Sequence, residues 1–127
     1  MKKLFRRLFS SKEMRAYRKM RKRQRKELLK LAKETGVWDW SWLHEMVIMQ
    51  VRHMHEYYTE NNNVWQTDET RLPIIEQLKH VLDLDTEIEN MSEDSCIVDY
   101  KEFDKKEQDL YEELYSSIGK NLRWWWD

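Results

Sequence analysis

Residues 37–58 read VWDWSWLHEMVIMQVRHMHEYY, the most apolar and aromatic window of the chain. If the window is a helix that begins near Asp39, its apolar residues form a stripe with i, i+3, i+4, i+7 spacing. The stripe comprises Trp40, Leu43, Val47, Gln50, Val51, Met54 and Tyr58. Ile48 and Met49 lie outside it, so we expect this helix to be contacted on more than one side. Asp39 can cap the helix by accepting from the free N–H groups of the first turn.

The composition favours helices throughout the chain. Only two Gly and one Pro occur in 127 residues, and 37% of the residues are charged, which gives few sharp turns for a sheet. Charge is divided unevenly: residues 1–34 contain 15 Lys and Arg against three Glu. We therefore predict an all-α fold, with a basic N-terminal helical arm (1–34) preceding an acidic body (35–127) whose core is a three-helix bundle.

Capping and periodicity predict the other helices. Ser10 and Glu13 fit a capping box for a helix that runs to Glu34. The segment Arg21–Lys26 is polar on every face, so we expect no core position there. Met14, Tyr17, Leu28 and Leu31 form an apolar seam on this helix, which Arg21 and Gln24 interrupt.

Two further helices are predicted in the acidic body. The first begins at Asp68, ends near Leu84, and is followed by an acidic loop up to Asp99, where the last helix begins. Core positions in the first are Leu72, Ile75, Leu78, Val81 and Leu82. The inner face of the last helix comprises Tyr100, Phe103, Leu110, Leu114, Ile118 and Trp125.

Recognisable catalytic and metal-binding patterns are absent from the sequence. It has no phosphate-binding Gly loop, no nucleophile elbow and no HExxH. His44 and His55 are separated by about 16 Å along a helix, too far to share an ion. His53 and Glu56 share a helical face, but two ligands do not make a site. We predict no catalytic residues, no metal and no cofactor, and expect a protein that is not an enzyme.

A basic run is the main indication of nucleic-acid binding. Lys and Arg attract phosphate independently of sequence, and Tyr17 could stack on a base. The acidic body argues against this interpretation because it would repel a polyanion. The candidate nucleic-acid-binding residues are Arg15, Arg18, Lys19, Arg21, Lys22, Arg23, Arg25 and Lys26.

Clustered tryptophans indicate a protein partner, which is our leading expectation. Successive helical positions point 100° apart, so three adjacent indoles cannot all face one core. Tryptophan is also favoured at binding hot spots. The candidate partner-binding residues are Trp124, Trp125, Trp126, Trp38 and Trp42. The alternative is that the terminal run closes the bundle end, against the tryptophans of 38–42.

No apolar run approaches the ~20 residues needed to span a membrane. Residues 2–9 alternate basic and apolar side chains, but two helical turns bury too little apolar area to anchor a membrane. We expect a frayed end or a dock onto the body. The single cysteine, Cys96, excludes an internal disulfide and fits a reducing compartment. The oligomeric state is left open.

Three short motifs resemble a known group of proteins. They are Trp38-Asp39-Trp40 before a Leu-containing helix, Val81-Leu82-Asp83, and the terminal Trp125–Asp127. The region 37–127 is similar to small uncharacterised helical accessory proteins of tailed bacteriophages. The resemblance implies only a phage or prophage setting, where small accessory proteins often bind host machinery. From that setting we expect a protein in the host cytoplasm that binds a host or phage macromolecule, with inhibition of a host defence system as one candidate role. The basic arm and Trp124 depart from that pattern.

Overall fold

The computed structural model describes residues 11–34, 40–60, 68–93 and 99–126. Four helices account for them: α1 (Ser11–Glu34), α2 (Trp40–Glu60), α3 (Asp68–Glu93) and α4 (Tyr100–Trp126). No strand occurs in these ranges, which confirms the all-α prediction. The predictions made for residues 2–9, for the caps Ser10 and Asp39, and for Cys96 lie outside the described residues.

Contacts divide the chain into two compact units, Met1–Arg71 and Leu72–Asp127. Helices α1 and α2 belong to the first unit, whereas α4 and most of α3 belong to the second. Each unit therefore contains a pair of helices. The predicted boundary after residue 34 and the three-helix bundle of residues 35–127 stay predictions.

Helices α1 and α2 pack as an antiparallel pair. Arg23 of α1 bonds Glu56 of α2, and Glu27 bonds His53, so the contact moves backward along α2 as α1 advances. Gln24 is 1% exposed and Met20 is buried. The expectation that the 21–26 segment has no core position was therefore wrong. Gln24 can be buried because its side-chain amide hydrogen-bonds to polar groups of α2.

The inward face of α2 is rotated from the predicted one. Val51 and Tyr58 are buried as expected, and Ile48, which lay outside the predicted stripe, is buried too. Trp40 and Leu43 are 66% and 59% exposed, so their assignment to the core was wrong. Apolar residues surround most of α2, and its sequence alone therefore admits several inward faces.

Helix α3 continues to Glu93, past the end predicted near Leu84. Leu84, Asp85 and Ile88 are buried, so much of the predicted acidic loop is a packed helix. Asp85 faces α4: burial raises the pKa of Tyr111, and the carboxylates of Glu107 and Asp85 add to the rise. Because this segment is rich in acidic residues, its buried helical face was not recognised from the sequence.

The core of the second unit follows the predicted positions more closely. Leu78, Val81, Leu114, Ile118 and Trp125 are buried as expected. The predicted core positions Leu72 and Tyr100 are instead 52% and 75% exposed. None of the described helices is long and apolar enough to cross a membrane.

Helix α4 begins where it was predicted, next to Asp99, and the structure shows a cap there. The Asp99 carboxylate accepts from the backbone N–H of Lys101 at 3.0 Å and of Glu102 at 3.4 Å. These bonds satisfy two of the N–H groups that a helix start leaves without intrahelical partners. The cap thus fixes where α4 begins.

Candidate nucleic-acid interface

Helix α1 has two chemically distinct faces. At 100° per residue, nine of its eleven exposed basic side chains fall within an arc of about 140°, and Arg21 and Arg23 lie outside it. Gln24, buried in the contact with α2, lies opposite the middle of that arc. We call this arc the basic face; it comprises Lys12, Arg15, Arg18, Lys19, Lys22, Arg25, Lys26, Lys30 and Lys33.

All nine side chains of the basic face are exposed. Between Lys12 and Lys33 the arc contains one other residue, Leu29, which is 62% exposed. The acidic residues of this span, Glu13 and Glu27, lie outside the arc, and Glu27 bonds His53 of α2. A continuous positive surface about 31 Å long follows from this spacing.

A polar cluster fixes the opposite face of α1. The Gln24 amide donates to the backbone carbonyl of His53 at 3.3 Å and to the Glu56 carboxylate at 3.4 Å. Its own oxygen accepts from the Arg21 guanidinium at 2.8 Å. A buried amide is costly unless it is hydrogen-bonded, so these bonds determine how α1 is turned against α2.

His53 is 5% exposed and belongs to the same cluster. Its Nε2 lies 2.9 Å from the Glu27 carboxylate, which places the proton on this nitrogen. Nδ1 is buried with no hydrogen-bond partner in the described part of the chain. The bond from His53 lowers the pKa of Glu27, although partial burial opposes the shift, and charge attraction from His53 and Arg23 adds to it.

The eight predicted nucleic-acid-binding residues separate into two groups. Arg23 pairs with Glu27 and Glu56, and Arg21 bonds Gln24, so these two stabilise the helix pair. The other six lie on the basic face: Arg15, Arg18, Lys19, Lys22, Arg25 and Lys26. Lys12, Lys30 and Lys33 also belong to that face; they were not among the eight candidates, although the i, i+3, i+4, i+7 spacing was a usable signal.

Tyr17 lies on the packed side of α1, not on the basic face. Its ring meets the Tyr57 ring edge-on with centroids 6.0 Å apart. The predicted stacking of Tyr17 on a base is not supported by this position, because the ring already contacts α2.

The predicted partner-binding tryptophans occupy different environments. Trp125 is 3% exposed and its indole N–H donates to the Gln77 side chain at 3.0 Å, whereas Trp124 is 66% exposed. Trp42 is partly buried, and its indole nitrogen has no hydrogen-bond partner among the described residues. Trp38 and the Trp126 side chain lie outside the described part of the chain. Trp125 therefore packs within its own unit, and Trp124 is an exposed indole.

Two functional residues of the cluster escaped sequence reasoning. Gln24 was read as a break in the apolar seam, although a polar residue at a seam position is also typical of a buried hydrogen bond. His53 was considered only as a possible metal ligand beside Glu56, and its burial was not predicted. In the ranges that the structure describes, no group of three or more His, Cys, Asp or Glu could hold a metal ion.

Comparison with known proteins identifies no relative of this chain. No family model matches the chain, and neither a curated protein nor a solved structure matches it.

Proposed function

We propose that this chain is a non-enzymatic binding protein whose basic face holds a nucleic acid. The observation that carries the proposal is the position of the nine basic residues, which lie directly opposite the buried Gln24. Packing against α2 therefore leaves the whole basic face exposed. A basic stripe along one helical face is the electrostatic footprint of a nucleic-acid-binding protein.

Charge separation within the first unit supports this proposal. Glu27 and Glu56 are engaged with Arg23 and the buried cluster, so they do not neutralise the basic face. Nucleic acid gains affinity from such a face because each phosphate contact releases condensed counterions. The formal net charge of the chain, −1, hides this local surface.

A protein partner is the second candidate, and Trp124 is the observation that favours it. An indole that is 66% exposed can anchor a partner, since tryptophan is enriched at binding hot spots. Burial of Trp125 reduces the surface that the terminal run offers. We place nucleic acid first because nine aligned charges form a larger and chemically more uniform surface.

The biological setting belongs to the same proposal. The similarity of residues 37–127 to accessory proteins of tailed bacteriophages supports a phage protein acting in the host cytoplasm, with inhibition of a host defence system as one role. The three-helix body of residues 35–127 is likewise proposed, as the part of the chain that carries the basic helix.

The test compares two triple variants with identical composition and net charge. Lys19→Ala, Lys22→Ala and Lys26→Ala remove the centre of the basic face. The control removes three exposed lysines of α4: Lys101→Ala, Lys105→Ala and Lys120→Ala. Affinity for labelled duplex DNA, single-stranded DNA and duplex RNA is measured by fluorescence anisotropy at several salt concentrations.

We expect the α1 variant to lose at least about tenfold in affinity for the bound nucleic acid, and its salt slope to fall by about three. The α4 control should stay within about twofold of the parent protein. Equal losses of affinity in both variants would show that the effect comes from net charge alone and not from the basic face. Absence of binding to all three nucleic acids would refute the proposed function.

A further inference from the structure

We propose that the basic face binds double-stranded DNA through its phosphates without reading the base sequence. This inference rests on the proposed function and names the class of nucleic acid. It follows from three properties of the face: which side chains are missing from it, which cations form it, and the size of the helix that carries it.

Missing aromatic rings argue against a single strand. Proteins that hold single-stranded nucleic acid combine cationic side chains with aromatic rings on which successive bases stack. From Lys12 to Lys33 the basic face contains no aromatic residue. The aromatic ring of this span, Tyr17, is turned toward Tyr57 on α2. The face can therefore neutralise a backbone but offers no stacking platform for bases.

Missing amides and hydroxyls argue against base readout. From the major groove, Asn and Gln read adenine, Ser or Thr contact either kind of base pair, and Arg or Lys can contact guanine. No Asn, Gln, Ser or Thr lies on the basic face between Lys12 and Lys33, and the Gln24 amide is buried on the opposite side. Six of the nine cations are lysines, which contact phosphate as flexible point charges rather than as planar forks. Phosphate contacts position a protein but carry no sequence information directly.

Groove dimensions separate DNA from RNA. An α-helix with its side chains is about 10–12 Å wide, and the major groove of B-form DNA is about 12 Å wide. The basic arc of about 140° can then reach the phosphates on both walls of the groove. The major groove of A-form RNA is deep and narrow, and side chains cannot enter it in the same way.

The experiment measures anisotropy of the full chain with four labelled probes of about 20 nucleotides or base pairs. Two are DNA duplexes of unrelated sequence, one is single-stranded DNA, and one is an RNA duplex. We expect the two DNA duplexes to bind within about threefold of each other. Single-stranded DNA and the RNA duplex should bind at least about tenfold more weakly. If six or more phosphates are contacted, duplex affinity should fall about 10³-fold or more from 50 to 200 mM salt.

Each other result overturns a defined part of the argument. Equal or tighter binding of single-stranded DNA or of the RNA duplex overturns the assignment to duplex DNA and leaves the proposed function standing. Strong preference for one DNA sequence overturns binding through phosphates alone. No binding to any probe overturns the proposed function together with this inference. The Lys19, Lys22 and Lys26 triple variant must lose duplex binding, because retention would place the site elsewhere on the chain.

Discussion

Replacing Trp125 by alanine should destabilise the second unit far more than the same replacement at Trp124. The two residues are adjacent in α4, but Trp125 is 3% exposed and Trp124 is 66% exposed. Because the substitution and the helix are the same, the change in intrinsic helix propensity cancels between the variants. The difference between them therefore reports the burial of Trp125 together with its hydrogen bond to Gln77.

The size of the effect follows from the buried indole. A buried tryptophan removes about 150–250 Å² from water. At about 25 cal/mol per Å² this corresponds to roughly 4–6 kcal/mol as an upper estimate. Measured Trp→Ala changes in cores cost about 3–5 kcal/mol, and we expect Trp125→Ala to fall in that range. Trp124→Ala should change the free energy of unfolding by less than about 0.5 kcal/mol.

A third variant separates the hydrogen bond from the packing. Trp125→Phe keeps an aromatic ring but removes the N–H that donates to Gln77. Its cost should be smaller, about 1–2 kcal/mol, because the partly buried Gln77 loses a partner and little cavity forms. From most to least stable, the expected order of the variants is Trp124→Ala, Trp125→Phe and Trp125→Ala.

Urea unfolding followed by far-ultraviolet circular dichroism provides the assay, since the helical signal does not depend on which tryptophan is removed. The midpoint and the slope give the free energy of unfolding for each variant. A loss for Trp124→Ala equal to or larger than that for Trp125→Ala would refute our assignment of which indole is packed. Unchanged stability in both would show that the end of α4 does not contribute to the core.

Two further predictions concern single contacts. Asp99→Ala should cost about 1 kcal/mol of stability because the cap of α4 is lost, whereas the exposed Asp109→Ala in the same helix should cost little; equal urea midpoints for the two would contradict the cap. Because the pKa of Glu27 is lowered in the folded chain, its contribution to stability is present above its ordinary value of 4.5 and is lost as pH falls through the lowered value. The stability difference between the parent and Glu27→Gln should therefore shrink from about pH 6 to about pH 3, and a constant difference would show that the bond to His53 has no energetic effect.

Several features of the fold were determined by the sequence. The scarcity of Gly and Pro and the regular apolar spacing predicted helices, and all described elements are helical. The start of α4 near Asp99 was also predicted, and the structure shows that the Asp99 carboxylate caps it. Leu78, Val81 and Leu114 were recognised as core because they recur with the spacing of a helical face. When a helix has only one apolar face, that face is the one that packs into the core, so the sequence predicts it.

The sequence failed where more than one face was acceptable. Apolar residues surround α2, so the exposure of Trp40 and Leu43 and the burial of Ile48 depended on the neighbouring helix. Trp124 and Trp125 differ only by 100° of helical rotation, and sequence gives them the same chemistry. Local pattern cannot distinguish such positions, because the free energy of burial depends on the surface that covers them.

The candidate site required both levels of information. Its charges are visible in the sequence, which predicted six of the nine residues of the basic face. That the face is continuous and exposed follows only from the burial of Gln24 against His53 and Glu56. A polar residue is buried only when a partner satisfies its donors and acceptors, and that partner lies on another helix. The sequence therefore shows that α1 is basic, and the packing of α1 on α2 determines which of its faces is exposed.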